Sequence, residues 1–224
     1  MSTSARSLTE RVYTALRGEI LAGRVTPGRK LKPSELSAAH GVSLNVVREA
    51  LSRLAGERLV RALPQQGFAV VDVSVADLED LTEVRATIEG SALRRSVERG
   101  DLAWEAALAA AHHRLAGTPM GDPERPGAVA EEWIRAHDEF HKATMAACGS
   151  PRMMEIVAGL AESAAIYRYW SRHYDEGRRD IAGEHRAIFE AVMARDADAA
   201  CRLHQEHIRR TAGIVVAGVE RGEG

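Results

Sequence analysis

Nine histidines occur in the 224 residues, and four of them stand where helical spacing calls for an apolar residue. His137 and His141 are four apart in EEWIRAHDEFHKATM, so both project from one helix face. Trp133, Phe140 and Thr144 mark that face as inward. His185 lies between Ile181 and Phe189 on a second apolar stripe, and His207 between Leu203 and Ile214 on a third. Three helices can thus aim four imidazoles into one interior. A neutral imidazole is a common metal ligand, and a buried one needs a partner at each ring nitrogen, one of which an ion can supply. Each residue taken alone also fits the role of a hydrogen-bonded core histidine, and His204 competes with His207 for the place on the last helix.

A second unusual position is Arg85, set where Leu81, Ile88 and Ala92 predict an apolar side chain. A buried guanidinium is very costly without an anion. That anion is either a structural carboxylate such as Glu89 or a bound ligand, to which Arg168, beside Tyr167, can add a polar contact. Hydrolysis at a metal would need a general base beside it. Asp138, Glu139 and Glu184 are predicted to point away from the histidine faces. No HExxH, nucleophile elbow or phosphate loop is present. An enzyme is therefore not expected.

The third constellation lies in LKPSELSAAHGVSLNVVREALSRLAGERLVRAL, residues 31–63. Pro33 suits a first helical turn, Gly41 a left-handed cap, and Ser43 the cap of a second helix. Val47, Ala50, Leu51 and Leu54 form that helix's buried stripe. Its polar N-terminal half leaves Asn45 and Arg48 able to enter a DNA major groove, Asn45 toward adenine and Arg48 toward guanine or phosphate. Two short strands around a Gly-containing turn follow and read as a wing. Ser43 and the wing-tip residues Gln65, Gln66 and Gly67 complete the candidate DNA contacts.

The elements that must position these groups are mostly helices. Leu8, Val12, Leu16 and Ile20 predict a first amphipathic helix. Beyond residue 74 the periodicity predicts helices over about 75–99, 101–116, 128–147, 151–173, 179–194 and 197–218, with GTPMGDPERPG as a loop. The expected fold is mainly α: a winged helix-turn-helix over residues 1–73, then an all-α helical bundle over 74–224. Residues 1–72 carry 11 basic and 6 acidic side chains, and the rest 19 and 26. A basic head on an acidic body suits a head that meets phosphate. No apolar run reaches membrane-spanning length and no signal peptide is visible. Two cysteines form no framework, so the expected setting is a reducing cytoplasm.

The head resembles the winged-helix domain of the GntR family of bacterial transcription regulators. The residues that carry the likeness are Pro27-Gly28, Leu31, Glu35-Leu36, Gly41-Val42-Ser43, Val47 to Leu51, Leu54 and Gly67 to Val70. The remainder is similar to the FCD effector domain of the FadR subgroup, through Glu83 to Glu89, His137 to His141, Ala147 to Pro151, Glu184 to Ile188 and Arg195 to His207. This likeness implies a divalent metal in the bundle, held here by His137, His141, His185 and His207. His137 stands where the family often has Asp. Four imidazoles favour zinc, nickel or copper over magnesium or calcium, with zinc or nickel expected here. It further implies a small carboxylate effector held by the metal and Arg85, a homodimer, and a pseudo-palindromic double-stranded operator that the protein regulates, for instance as a repressor. In the head, Leu44 and Ser34 replace two arginines often present in the family, so direct readout falls on Asn45 and Arg48. The alternatives are a ligand-independent DNA-binding protein with a structural metal, and a metal-dependent hydrolase.

Overall fold

The computed structural model describes residues 2–21, 24–57, 59–64, 66–72, 74–123, 129–175 and 179–221, less the side chains of residues 2–7, 21, 169, 172 and 173. The chain divides into two compact units, one of Met1–Ser74 with Glu162–Trp170 and the other of Val75–Ala161 with Ser171–Gly224. The sequence placed its single boundary between residues 73 and 74, and one division falls after residue 74. The return of residues 162–170 to the first unit has no signal in the sequence.

In the first unit, α1 (Ser2–Leu21) buries Val12, Leu16 and Ile20 at helical spacing. After it come β1 (Lys30–Leu31), α2 (Pro33–His40), α3 (Leu44–Gly56), β2 (Val60–Leu63) and β3 (Gly67–Val70). Pro33 opens α2, and Gly41 ends it at φ 62°. Ser43 caps α3 by accepting from the Val46 amide. Val47, Ala50, Leu51 and Leu54 are sealed from solvent against α1 and the sheet side of the unit. The sheet is antiparallel with order β1-β3-β2 and pairs Leu31 with Phe68 and Val60 with Val70. β1 was not anticipated, because two residues are too few to show an alternation. At Gly67 φ is 92°, and a Cβ would meet the Leu31 carbonyl and Pro33 at 3.1 Å. Only glycine lets the wing close that tightly on the start of α2.

The helices that follow are α4 (Val75–Arg99), α5 (Leu102–Gly117), α6 (Glu131–Met145), α7 (Pro151–Ser163), α8 (Ala165–Asp175), α9 (Ile181–Met193) and α10 (Ala197–Glu220), and all belong to the second unit except the end of α7 and the first six residues of α8, which belong to the first. The single helix expected over 151–173 is two, parted by a turn at Ala164. No Gly or Pro announces that break in AESAAIYRY. Asp101, Asp180 and Asp196 cap α5, α9 and α10 through their carboxylates, as acidic side chains at a helix N-terminus do. The core gathers Leu93, Val97, Trp104, Leu108, Phe140, Met145, Ile188 and Val192. Trp104 Nε1 donates to the Ala143 carbonyl at 2.8 Å, joining α5 to α6. Among the described residues no helix is long and apolar enough to cross a membrane.

Candidate metal centre

Four imidazoles from three helices of the second unit meet in one cluster. His137 and His141 come from α6, His185 from α9 and His207 from α10, and one ligand atom of each lies within 4.8 Å of the others. The ring centroids are 4.5 Å apart for His137 and His141, 4.8 Å for His185 and His207, and 5.1 Å for His141 and His185. Phe140 and Trp133 pack against this group from α6, at 5.4 Å and 6.4 Å from the His185 ring. The spacing of the sequence thus brings together the four residues it singled out.

Electrostatics keep His141 and His207 neutral. Burial drives the His141 imidazole well below its usual range, and the neighbouring histidines add to the effect. Burial also holds His207 down, to about 3, with Arg179 and His137 adding to it against the opposing pull of Glu184. Uncharged imidazoles are the form that binds a metal. The Nε2 atoms of His141 and His185 approach to 3.2 Å. Ligands of a tetrahedral ion with bonds of about 2.1 Å sit at a similar separation. The donor set and its spacing therefore fit a transition-metal ion.

The ring atoms turned away from the cluster reveal two residues that periodicity missed. Glu184, predicted to point away from the histidine faces, accepts from His207 Nδ1 at 2.8 Å. The reason is topological: Glu184 faces away from its neighbour His185, but α10 crosses on that side. Asp138 likewise lies 3.3 Å from His137 Nδ1. A carboxylate on the outer nitrogen fixes the tautomer and leaves Nε2 as the metal donor. Glu184 also binds Arg179 and Arg210. Burial would raise its carboxyl, but His207, Arg179 and Arg210 outweigh that and hold it well below the usual range. Arg179 is itself nearly sealed, and donates to the His207 carbonyl and the Thr211 hydroxyl, each at 2.9 Å. It precedes α9 in a charged break, where no periodicity can single it out. A cavity of 660 Å³ is lined by Arg179, Glu184, Leu203, Glu206, His207 and Arg210, among others.

Arg85 meets Glu89, one of the two partners the sequence allowed, through Nε at 2.6 Å and Nη2 at 3.2 Å. Glu89 is buried and also bonds His204 Nε2 at 2.8 Å. Burial alone would raise this carboxyl, but Arg85 and His204 together hold it at about 2. His204, the competitor of His207, is turned to Glu89. Arg168 lies on α8 within the part that groups with the first unit, so it is not in the unit that holds the histidines.

In the first unit Ser43, Asn45 and Arg48 are exposed along one end of α3, together with Leu44. Gln66 is exposed on the wing, where its side-chain carbonyl accepts from Lys30 Nζ at 2.8 Å. Gln65 falls outside the described residues. Several cations of the head are taken up internally: Arg17 by Glu57, Arg53 by Glu10 and Arg61 by Asp72. Tyr13 bonds Glu57 and lies under the Arg53 guanidinium.

Comparison with known proteins covers both units. Residues 80–210 match the FCD domain, and residues 8–70 match the bacterial regulatory proteins of the gntR family. The HTH-type transcriptional regulator BphR of Paraburkholderia xenovorans is 33% identical over 212 residues, 95% of this chain and 86% of that protein. The HTH-type transcriptional repressor GlaR of Escherichia coli is 32% identical over 207 residues, covering 91% and 93%. A solved structure of a GntR regulator from Rhodococcus sp. RHA1 superposes with a TM-score of 0.70 at 25% identity, covering 94% of this chain and 98% of that one.

Proposed function

This chain belongs to the GntR family of bacterial regulatory proteins and carries an FCD domain, so it is a transcription regulator and not an enzyme, and we propose that an anionic effector bound beside a zinc or nickel ion in the second unit modulates its grip on an operator. Family members bind DNA and usually act as dimers. The proposed form is accordingly a cytoplasmic homodimer on a pseudo-palindromic site, whose two half-sites mirror the two-fold axis of the protein. GlaR, a repressor 32% identical to this chain, supports repression as the sign.

The observation that carries the effector reading is the composition of the cluster. His137, His141, His185 and His207 are four neutral donors. An ion held by them brings positive charge that none of its ligands cancels, and a small carboxylate can meet it there. A buried charge calls for a counter-charge. The protein's own residues do the rest. Glu184 and Asp138 orient the rings of His207 and His137, and Trp133 and Phe140 keep water from that side. The cavity beside His207 gives a small ligand room, and Arg179 and Arg210 stand in its wall. Arg85 remains the other candidate cation of this unit, with the condition that a ligand there must share it with Glu89. On the DNA side Asn45 and Arg48 are assigned to base edges, and Ser43, Gln65, Gln66 and Gly67 to the backbone or minor groove.

The test is operator binding by the purified chain, metal-loaded and metal-stripped, against a panel of small mono- and dicarboxylates. A carboxylate that shifts operator affinity only in the loaded protein supports the reading. Operator affinity that no carboxylate moves, with metal fully bound, would leave the metal structural and sink the effector role.

A further inference from the structure

His141 and His204 each keep one ring nitrogen that is sealed from solvent and has no hydrogen-bond partner, Nδ1 in both cases. Their ring centroids are 5.6 Å apart with the planes inclined by 58°. The two rings are neighbours, although their Nδ1 atoms do not bond each other in this structure. Buried polar atoms without a partner are rare enough that each calls for an explanation.

The tautomers make the two atoms complementary. Glu89, held ionised by Arg85, has only lone pairs to offer, so His204 Nε2 must carry the hydrogen of the 2.8 Å contact. When that ring carries only this one hydrogen, His204 Nδ1 is bare, an acceptor. His141 Nε2 is the atom that faces His185 Nε2 inside the cluster. Once Nε2 holds a metal, the hydrogen of His141 sits on Nδ1, a donor. The outer nitrogens of His207 and His137 already face Glu184 and Asp138. His141 has no carboxylate in that place.

We propose that His204 is the outer partner of His141: in the metal-loaded protein His141 Nδ1–H donates to His204 Nδ1, directly or across one enclosed water, and the chain continues through Glu89 to Arg85. His204 is then a positioning residue, holding a ligand ring by a contact between α10 and α6, where the other assigned partners are carboxylates. This rests on the reading of the four histidines as a metal site.

The test is zinc affinity of the full-length chain by chelator competition, with Co²⁺ absorption as a second readout. His204→Leu is expected to weaken zinc about 10- to 100-fold, the usual loss for an outer partner. His204→Gln can donate to Glu89 and accept from His141, so it should recover most of that loss and restore the Co²⁺ spectrum. A purely structural His204 would lower the melting temperature of the metal-free protein in both variants while zinc affinity stayed within about twofold of wild type, and that result overturns the proposal. Long-range ¹H–¹⁵N spectra of the zinc-loaded wild type need no variant. They should find hydrogen on His141 Nδ1 and on His204 Nε2, and a hydrogen on His204 Nδ1 overturns the assignment. A wild-type chain that takes up no zinc fails the metal reading itself, whereas zinc bound equally by wild type and His204→Leu fails this one alone.

Discussion

At the scale of single residues, the histidine cluster and the exposed end of α3 make separate demands. His141 touches the other three ligands of the cluster, so His141→Ala should reduce metal content and remove the thermal stabilisation that added zinc gives wild type. A ligand at a hundredfold its dissociation constant stabilises by about 2.7 kcal/mol, a shift readily seen in a melting curve. Full occupancy in the double variant His137→Ala/His185→Ala would remove the assignment. On α3, Arg48→Ala should cost about 1–3 kcal/mol per half-site and relax preference at one base position if the guanidinium reads a base. An even loss over all sequences with a shallower salt dependence would mean a phosphate contact instead. Binding to a panel of operator variants at two salt concentrations separates these outcomes. The four histidines were legible because each breaks an apolar stripe, a signal carried by one helix at a time. Glu184 and Arg179 were not, since their partners His207 and Thr211 come from a different helix. Side-chain direction on one helix says nothing of what another helix brings across it.

At the scale of elements, two of the contacts that hold α10 in place can be tested, one electrostatic and one steric. Glu89 of α4 lies between Arg85 and His204 of α10, with its carboxyl at about 2 against an ordinary 4.5. A carboxyl depressed on folding contributes stability that is present above the unfolded value and lost as pH falls through the folded one. Wild type should therefore lose stability between about pH 4.5 and 2 from this group. Glu89→Gln should be less stable at neutral pH and show a shallower decline across that window, in urea titrations at a series of pH values. An unchanged acid limb would mean that other carboxyls govern it. The steric contact is at Gly218, where a Cβ would lie 2.2 Å from the ring of Tyr174. Gly218→Ala should destabilise by about 1–3 kcal/mol, the usual cost of overpacking, and pairing it with Tyr174→Leu should recover much of the loss. Strict additivity of the two changes would show that they do not meet. Most element bounds were readable from caps and periodicity: Gly41 and Ser43 act as the caps the sequence placed in the head, and α5 and α10 start within a residue of where the periodicity put them. The turn at Ala164 and the two-residue β1 were not, because one lacks a helix breaker and the other is shorter than any repeat.

At the scale of the whole molecule, the proposed regulation is a statement about linked equilibria and can be tested without knowing the conformations involved. If a carboxylate bound beside the histidine cluster changes operator affinity by some factor, operator DNA must change carboxylate affinity by the same factor. Such couplings are typically about 1–3 kcal/mol, or roughly 5- to 150-fold. The ligand can shift the balance only by its differential affinity for the two states. For the metal-loaded wild type, carboxylate affinity should thus be weaker with saturating operator than without it, if the ligand releases DNA. The ratio should match the drop in operator affinity measured with saturating carboxylate. Arg48→Ala gives the control. It weakens DNA binding through the head alone, so the carboxylate affinity of its DNA-free form should equal that of wild type. His141→Ala should do the reverse, keeping operator affinity in the absence of carboxylate and losing the response to it. Calorimetric titration of carboxylate into the protein, with and without a duplex operator, closes the cycle. Equal carboxylate affinity in both titrations, beside a real effect of carboxylate on operator binding, would break the thermodynamic cycle. It would trace the DNA effect to something other than a ligand bound to this protein at equilibrium.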